Sequence, residues 1–303
     1  MAIDVYRGSI TLPKDVSSEI LAKTKEDSAI MKLAREIKLP GNGLVIPVIT
    51  SDAEADWVTE TDPKPVSKPG LTTKTMQAYK LAVIVPFSNE FRRDIPSLYN
   101  ELVRRLPYAL AEKFDGTVFG NIAKPVGMSN FDTFAAVTAQ SILPGSGGTG
   151  TWAGLVAADA DIAAHGGITN GFVLAPQGKS LLLNAVDANN RPLFINNVAE
   201  GAIPMILGSR TVTAKAAYKA PVTSGTTAPA VVGFAGDWEQ AWYGTVEGVK
   251  VDISDQATLS YTENGSTVTL NLWQRNMFAI RAEIEVGFVA DTTVFNKLTG
   301  AAS

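Results

Sequence analysis

Hydrophobic positions recur along this chain with two periods, and the stretches where each period holds define the expected elements. Ile95, Leu98, Leu102, Leu106, Ala109, Leu110, Phe114 and Val118 fall three or four apart, so residues 94–119 read as one long amphipathic helix. Asp94 stands as its N-cap and Pro96 in its first turn, where a missing N–H removes no bond, while Pro107 predicts a mid-helix kink. Upstream, Ile20, Ile30, Met31, Ala34 and Ile37 mark a charged amphipathic segment over 15–38, with Asp15 or Ser17 as N-cap and a break near Asp27 and Ser28. It precedes any strand that could shelter it. It reads either as an arm laid on a surface, a neighbour's included, or as a helix packed on its own domain.

The second period is two. Between Thr73 and Phe87, Thr75, Gln77, Tyr79, Leu81, Val83 and Val85 share one face, which predicts a strand. Residues 55–67 are extended too but interrupted by Pro63 and Pro65, which confines them to an edge. Together the two arms predict a hairpin about 40 Å long, marginal by itself in water, so something else must hold it. Before it, LPGNGLVIPVIT turns into a short strand. The Gly-rich 145–150 reads as a crossing between domains; it lacks the Gly-Lys-Ser/Thr ending of a phosphate loop. Beyond it come a helix closed by Gly166 and Gly167, the strand GFVLAP, a helix over 177–187, a turn at 188–194, and strand-like 207–220 and 231–237 around a polar loop. The last strands are 245–254 and 276–289, the latter alternating Phe278, Ile280, Ala282, Ile284 and Val286 with Ala279, Arg281, Glu283 and Glu285. The fold class is α+β.

Composition narrows the chemistry. The 303 residues allow two domains, and 46% hydrophobic with 18% charged residues is ordinary for a folded protein. With 26 basic and 30 acidic side chains the net charge is −4, which offers no footprint for gripping nucleic acid or an anionic membrane. Without cysteine there is no disulfide, thiolate metal site or cysteine nucleophile. The N-terminus has neither a basic leader nor an apolar core, and no run nears the roughly 20 apolar residues of a membrane span, so the chain reads as soluble and intracellular. His165, the sole histidine, sits at a helix end, where a donor suits the open carbonyls. Asp159 and Asp161, two apart on a helix, face different ways and cannot share a reacting atom. The cluster Asp52, Glu54, Asp56, Glu60 and Asp62 lacks the glycine and terminal glutamate of a calcium loop and reads as a solvated, neighbour-seeking face. Lys64, Lys68, Lys74 and Lys80 give the projecting arm a basic end opposite that acidic one, a pattern suited to pairing with copies of itself. No catalytic site, metal or cofactor is expected.

The order of parts carries a resemblance: a charged N-terminal arm, AEADWVTETDPKPVSKPGLTTKTMQAYKLAVIVPFSNEFRRD, the long helix, APQGKSLLLNAVDANNRPLF, VVGFAGDWEQAWYG, and QRNMFAIRAEIEVGFVADTTVFNKL. Over nearly its whole length the sequence resembles the major capsid proteins of tailed bacteriophages with the HK97-type fold. The resemblance implies an N-terminal arm at 1–45 and an extended E-loop hairpin at 53–84. It also implies a peripheral domain from 85–145 and 234–303, including the spine helix 94–119, an axial domain at 146–233, and a return of the last strands to the peripheral sheet. Each E-loop is then expected to lie across a neighbouring subunit in hexamers and pentamers of an icosahedral shell. The runner-up is an encapsulin-type compartment shell; a carboxylate-dependent glycosidase and a fibre or tail component stand further off.

The same resemblance assigns residues and partners. Trp57, Glu60, Asp62, Lys64, Lys68, Lys74, Arg281 and Glu283 are the expected inter-subunit contacts. Some relatives weld their shells by an isopeptide bond, for which Asn276 and Glu283 stand at the matching places, with Lys64, Lys68 or Lys74 as third member. None of these lysines has the apolar setting that would depress its pKa, so ion pairing is the expectation for Glu283. The expected partners are copies of the chain, a separate scaffolding protein and a portal, with room for a decoration protein. The shell encloses double-stranded DNA without sequence-specific binding, contacts no membrane, is assembled in the host cytoplasm and resides in the virion. No large proteolytic maturation is expected.

Overall fold

The computed structural model describes residues 14–41, 43–51, 56–58, 64, 66, 70–90, 95–143, 150–186, 189, 191, 193, 205–225, 227–263 and 265–300. The chain opens with helices α1 (Lys14–Asp27) and α2 (Ala29–Leu33) and the short strand β1 (Arg35–Lys38). Strands β2 (Leu44–Ser51), β3 (Gly70–Met76) and β4 (Tyr79–Ser88) precede the long helix α3 (Ile95–Val118). Then come β5 (Thr138–Ser141), α4 (Gly150–Ala164), β6 (Gly171–Leu174), α5 (Pro176–Leu183), β7 (Met205–Ile206) and β8 (Ser209–Thr213). The rest is β: β9 (Val231–Gly236), β10 (Ala241–Thr245), β11 (Lys250–Ser254), β12 (Thr258–Glu263), β13 (Ser266–Asn271), β14 (Met277–Ala290) and β15 (Phe295–Thr299).

Two larger sheets organise these elements. In the five-stranded one β14 is the hub, paired antiparallel with β4, β10 and β11, while β1 adds parallel to β10. Ala279–Glu283 pair with both β11 and β4, so those strands flank β14 on opposite sides there. The expected alternation holds along β14 from Ile280 to Val286, with even positions buried and Arg281 exposed. Helix α3 covers this sheet: Leu106 and Leu110 pack with Ile20, Phe278, Ile280 and Ile284. The six-stranded sheet runs β5-β15-β9-β6-β8-β7. Its core is aromatic, with Phe134 stacked on Phe295 at 4.4 Å and Phe119 on Phe234 at 4.7 Å between ring centroids.

One expectation is corrected here, one open alternative is decided, and one strand is added. The strands expected last, 245–254 and 276–289, do meet in the five-stranded sheet, but a turn at Thr292–Val294, whose Thr293 N–H donates to Asp291, sends a further strand that the sequence reading missed, β15, into the six-stranded sheet. Burial of Phe295 against Phe134 and Trp238 fixes that placement, and β5 follows it by pairing parallel with β15. The described strands of the hairpin are β2 and β3: the expected strand 73–87 is divided, because the chain leaves its β2 partner at Met76 and takes up β14 from Tyr79, and most of the expected arm 55–67 lies outside the described residues. Of the two readings left open for 15–38, the structure takes the second: α1 packs against α3 of its own molecule, with Ile20 and Ile30 fully buried. Asp94, expected as the α3 cap, lies outside the described residues, as do 144–149.

Candidate functional site

The β2–β3 finger is a two-stranded sheet whose root, among the described residues, joins it to the body. Gly43 starts it at φ +85°, a left-handed turn in which an added Cβ would meet the Met76 carbonyl oxygen at 2.8 Å. Seven of the eight residues of β2 then pair with β3, from Leu44 opposite Met76 to Ser51 opposite Gly70, with a shift of register at Thr50. Pro47 withdraws one N–H from that ladder.

The root is a plug in a socket. Met76 is wholly buried with Ile46, Leu39 and Val289. The socket is lined by Gly244 of β10 and Gly287 of β14, which face each other across the ladder. A Cβ on Gly244 would come within 2.5 Å of Leu39, and one on Gly287 within 2.5 Å of the Gln77 carbonyl oxygen, so both strands need glycine there. A polar tie lies beside the plug. Lys74 Nζ donates to Asp132 Oδ2 at 3.0 Å and to the Ala290 carbonyl at 2.6 Å, while Ala290 N–H donates to the same carboxylate at 3.1 Å. Sequence reading missed this socket, although isolated glycines inside two strands are a recognised sign of close backbone approach.

A second anchor holds the N-terminal helices to α3. Asp115, buried among apolar neighbours, accepts from Ser28 Oγ at 2.5 Å, Ala29 N–H at 2.7 Å and Ile30 N–H at 3.4 Å. Ser28 in turn caps α2 by accepting from Met31 N–H. Burial pushes the Asp115 carboxyl up to about 7, against the pull of Ser28 and the two backbone donors. The signal available in the sequence was an acid on the buried stripe of the long helix.

The residues singled out from sequence fall in three groups. Trp57 is fully exposed and Lys64 is exposed, while Glu60, Asp62 and Lys68 lie outside the described residues. Lys74 is turned onto its own chain, as just described. Arg281 and Glu283 stand on the outer face of the five-stranded sheet: Arg281 pairs with Asp252 at 2.7 Å, and Glu283 lies 3.1 Å from Lys80 and 3.7 Å from Arg281. Hydrogen bonding to Glu283, then to Glu285, raises the Lys80 pKa. Asn276, with φ +53°, binds Asn89 through both side chain and carbonyl. From the start of β14 to Glu283 is about 20 Å at 3.4 Å per residue, so one chain does not bring Asn276, Glu283 and Lys74 together. His165 bonds the Asp161 carbonyl through Nδ1 at 2.8 Å. Among the described residues no group of three or more His, Asp or Glu side chains is placed to hold a metal, and no helix is long and apolar enough to cross a membrane.

What the arrangement offers is a two-stranded finger socketed at its root and, on the five-stranded sheet, a salt-bridged outer face, with no catalytic grouping among the described residues. Comparison with known proteins points to a family. The sequence profile described as the phage capsid family matches residues 8–292. The chain is 32% identical over 299 residues to the probable major capsid protein gp17 of Mycobacterium phage L5, covering 95% of this chain and 89% of that protein. It is 25% identical over 295 residues to the major capsid protein of Staphylococcus phage 80alpha, covering 96% and 85%. Among solved structures, a chain from Gordonia phage Cozz superposes with a TM-score of 0.69 at 20% identity, over 91% of this chain and 87% of that one.

Proposed function

The chain belongs to the phage capsid family, and from that premise we infer that it is the major capsid protein of a tailed phage, tiling an icosahedral head as hexamers and pentamers. Its fold is the HK97-like α+β fold. The observation that carries the assembly reading is the finger. A two-stranded sheet is marginal in water unless a further surface covers it, and here its root, Met76 and Ile46, is buried in its own molecule while Trp57, in the segment between β2 and β3, is fully exposed. A second copy supplies the missing surface. Contact between unlike faces repeated around a ring closes symmetrically, and many modest contacts add up.

In this reading α3 is the spine of a peripheral unit built on the five-stranded sheet, the six-stranded sheet forms the axial unit, and the finger is the E-loop crossing a neighbour. Arg281 and Glu283 contribute charge to that neighbour's landing face. The shell is assembled in the host cytoplasm around a separate scaffolding protein and a portal, and encloses double-stranded DNA without gripping it, as its net charge of −4 suits. The encapsulin alternative is not favoured, since the relatives named above come from phages. Replacing residues 52–69 by an Asn-Gly turn tests the proposal. The expected variant folds with the parent's thermal transition but yields no closed shells in negative-stain images; shells of normal size and yield would overturn it.

A further inference from the structure

Where the long helix α3 ends against the six-stranded sheet, the chain encloses a cavity of about 290 Å3. Its floor is made of three buried phenylalanines: Phe119, just past the end of α3, Phe134, and Phe234 of β9. Its mouth is formed by the exposed Ala139, Ala220 and Val222. Ligand pockets begin at roughly 300 Å3 and favour the meeting of two structural units, so this one suits a small molecule. The cavity is held in shape by Asn121, whose Nδ2 donates to the carbonyls of Ala216 and Tyr218 at 2.5 and 3.1 Å and so fastens the segment that carries Lys219 to the end of α3.

The charged groups of the wall are of one sign. Lys219 Nζ donates to the Gly120 carbonyl at 3.3 Å, and Lys297 Nζ of β15 donates to the Ala135 carbonyl at 3.1 Å. All four residues line the cavity, whose lining contains no aspartate or glutamate. Gly120, at φ +72°, lies so close to Ala135 that a Cβ on it would meet the Ala135 Cα at 2.6 Å. Their two carbonyls therefore gather both ammonium groups on one wall. Each ammonium has three N–H donors and uses one on its carbonyl, leaving the others for an anion. Among the described residues neither lysine is paired with a carboxylate, whereas Lys25, Lys74 and Lys80 are.

An apolar floor beneath two ammonium groups is complementary to a molecule with an apolar body and one anionic head. We propose that this cavity binds a small carboxylate of that kind, of which a medium-chain fatty acid is the simplest, with its head on Lys219 and Lys297 and its hydrocarbon on Phe119, Phe134 and Phe234. Such a ligand touches the end of α3, β9 and β15 together, and by binding the folded chain alone it stabilises the fold as it fills the site. The site lies within one chain and does not rest on the assembly reading.

Isothermal titration calorimetry of the full chain with octanoate tests it. One site per chain is expected, saturating below about 10 mM, with a higher melting temperature in the presence of the ligand. Lys219→Met and Lys297→Met keep an apolar stem and remove the charge, and each is expected to weaken binding about tenfold, as the loss of one charge-assisted bond implies. Lys219 is exposed, so Lys219→Met should melt with the parent when no ligand is present. Ala139→Leu narrows the mouth, leaves both lysines in place and should weaken binding as well. Octylamine, which carries the opposite charge on the same chain, and inorganic phosphate, which has charge without an apolar body, should not displace octanoate at equal concentration. No saturable binding, displacement by either control, or unchanged affinity in both lysine variants would overturn the inference. The titration needs no particle, so its failure leaves the capsid reading standing, and a chain that forms no shells leaves the site to be judged by the titration alone.

Discussion

Asp115→Ala is expected to loosen the N-terminal helices from α3 and leave the two sheets intact. The substitution removes the acceptor for Ser28 Oγ and for two backbone N–H groups in a site that water does not reach. Buried donors left without partners cost roughly 1–3 kcal/mol each, and the 3.4 Å bond from Ile30 contributes little, so a loss of about 3 kcal/mol follows. Amide hydrogen exchange read by mass spectrometry over residues 19–34 reports it, with about a 150-fold rise in exchange at 1.36 kcal/mol per decade. The same group gives a pH signature. Its folded carboxyl titrates near 7 rather than the ordinary 3.8, so between those values the folded state holds a proton that the unfolded state has lost. Protection in the parent, corrected for intrinsic rates, is therefore expected to be fully present below about pH 4, to fall as pH rises to about 7, and to stay level above it, by at most about 4 kcal/mol. Asp115→Asn should flatten that slope. Equal slopes in parent and Asp115→Asn, or unchanged exchange in Asp115→Ala, would refute the reasoning.

Gly154→Ala sets two effects against each other: alanine favours a helix by about 1 kcal/mol, but here its Cβ would meet the Ser141 carbonyl oxygen at 2.0 Å, so the variant should melt lower than the parent. A higher melting temperature would show that β5 can move away. Lys74→Met removes a half-buried tie between finger and body, and a loss of about 1 kcal/mol in denaturant unfolding is expected together with faster exchange over 70–76. Denaturing gels of assembled shells should show the monomer band alone, since Lys74 is held by Asp132, and Asn276 and Glu283 are bound to other groups; a ladder resistant to boiling would contradict this.

Local periodicity made much of this molecule legible, and pairing between distant strands hid the rest. The stripe from Leu106 to Val118 specifies the long helix α3 because its spacing is an intrinsic property of the segment. Alternation likewise marks β14. It also runs unbroken through Gln77 and Ala78, where the chain changes partner from β2 to β14, so the pattern carries no sign that one strand is really two. The β12–β13 hairpin escaped although Asn264-Gly265 is a strong hairpin signal, with Gly265 at φ +79°. The site was less visible than the fold. The sequence offers Trp57 as a candidate, and the structure leaves it exposed, but the Gly244–Gly287 socket and the Asp132 tie exist only once β10, β14 and β3 come together.

Electron cryomicroscopy of the purified, assembled protein bears most directly on whether this chain completes itself with sister copies. Density for the outer part of the finger, Trp57 included, should lie on the adjacent subunit of a closed icosahedral particle. A compact monomer with the finger folded against its own sheets, and no particles from any preparation, would contradict the account.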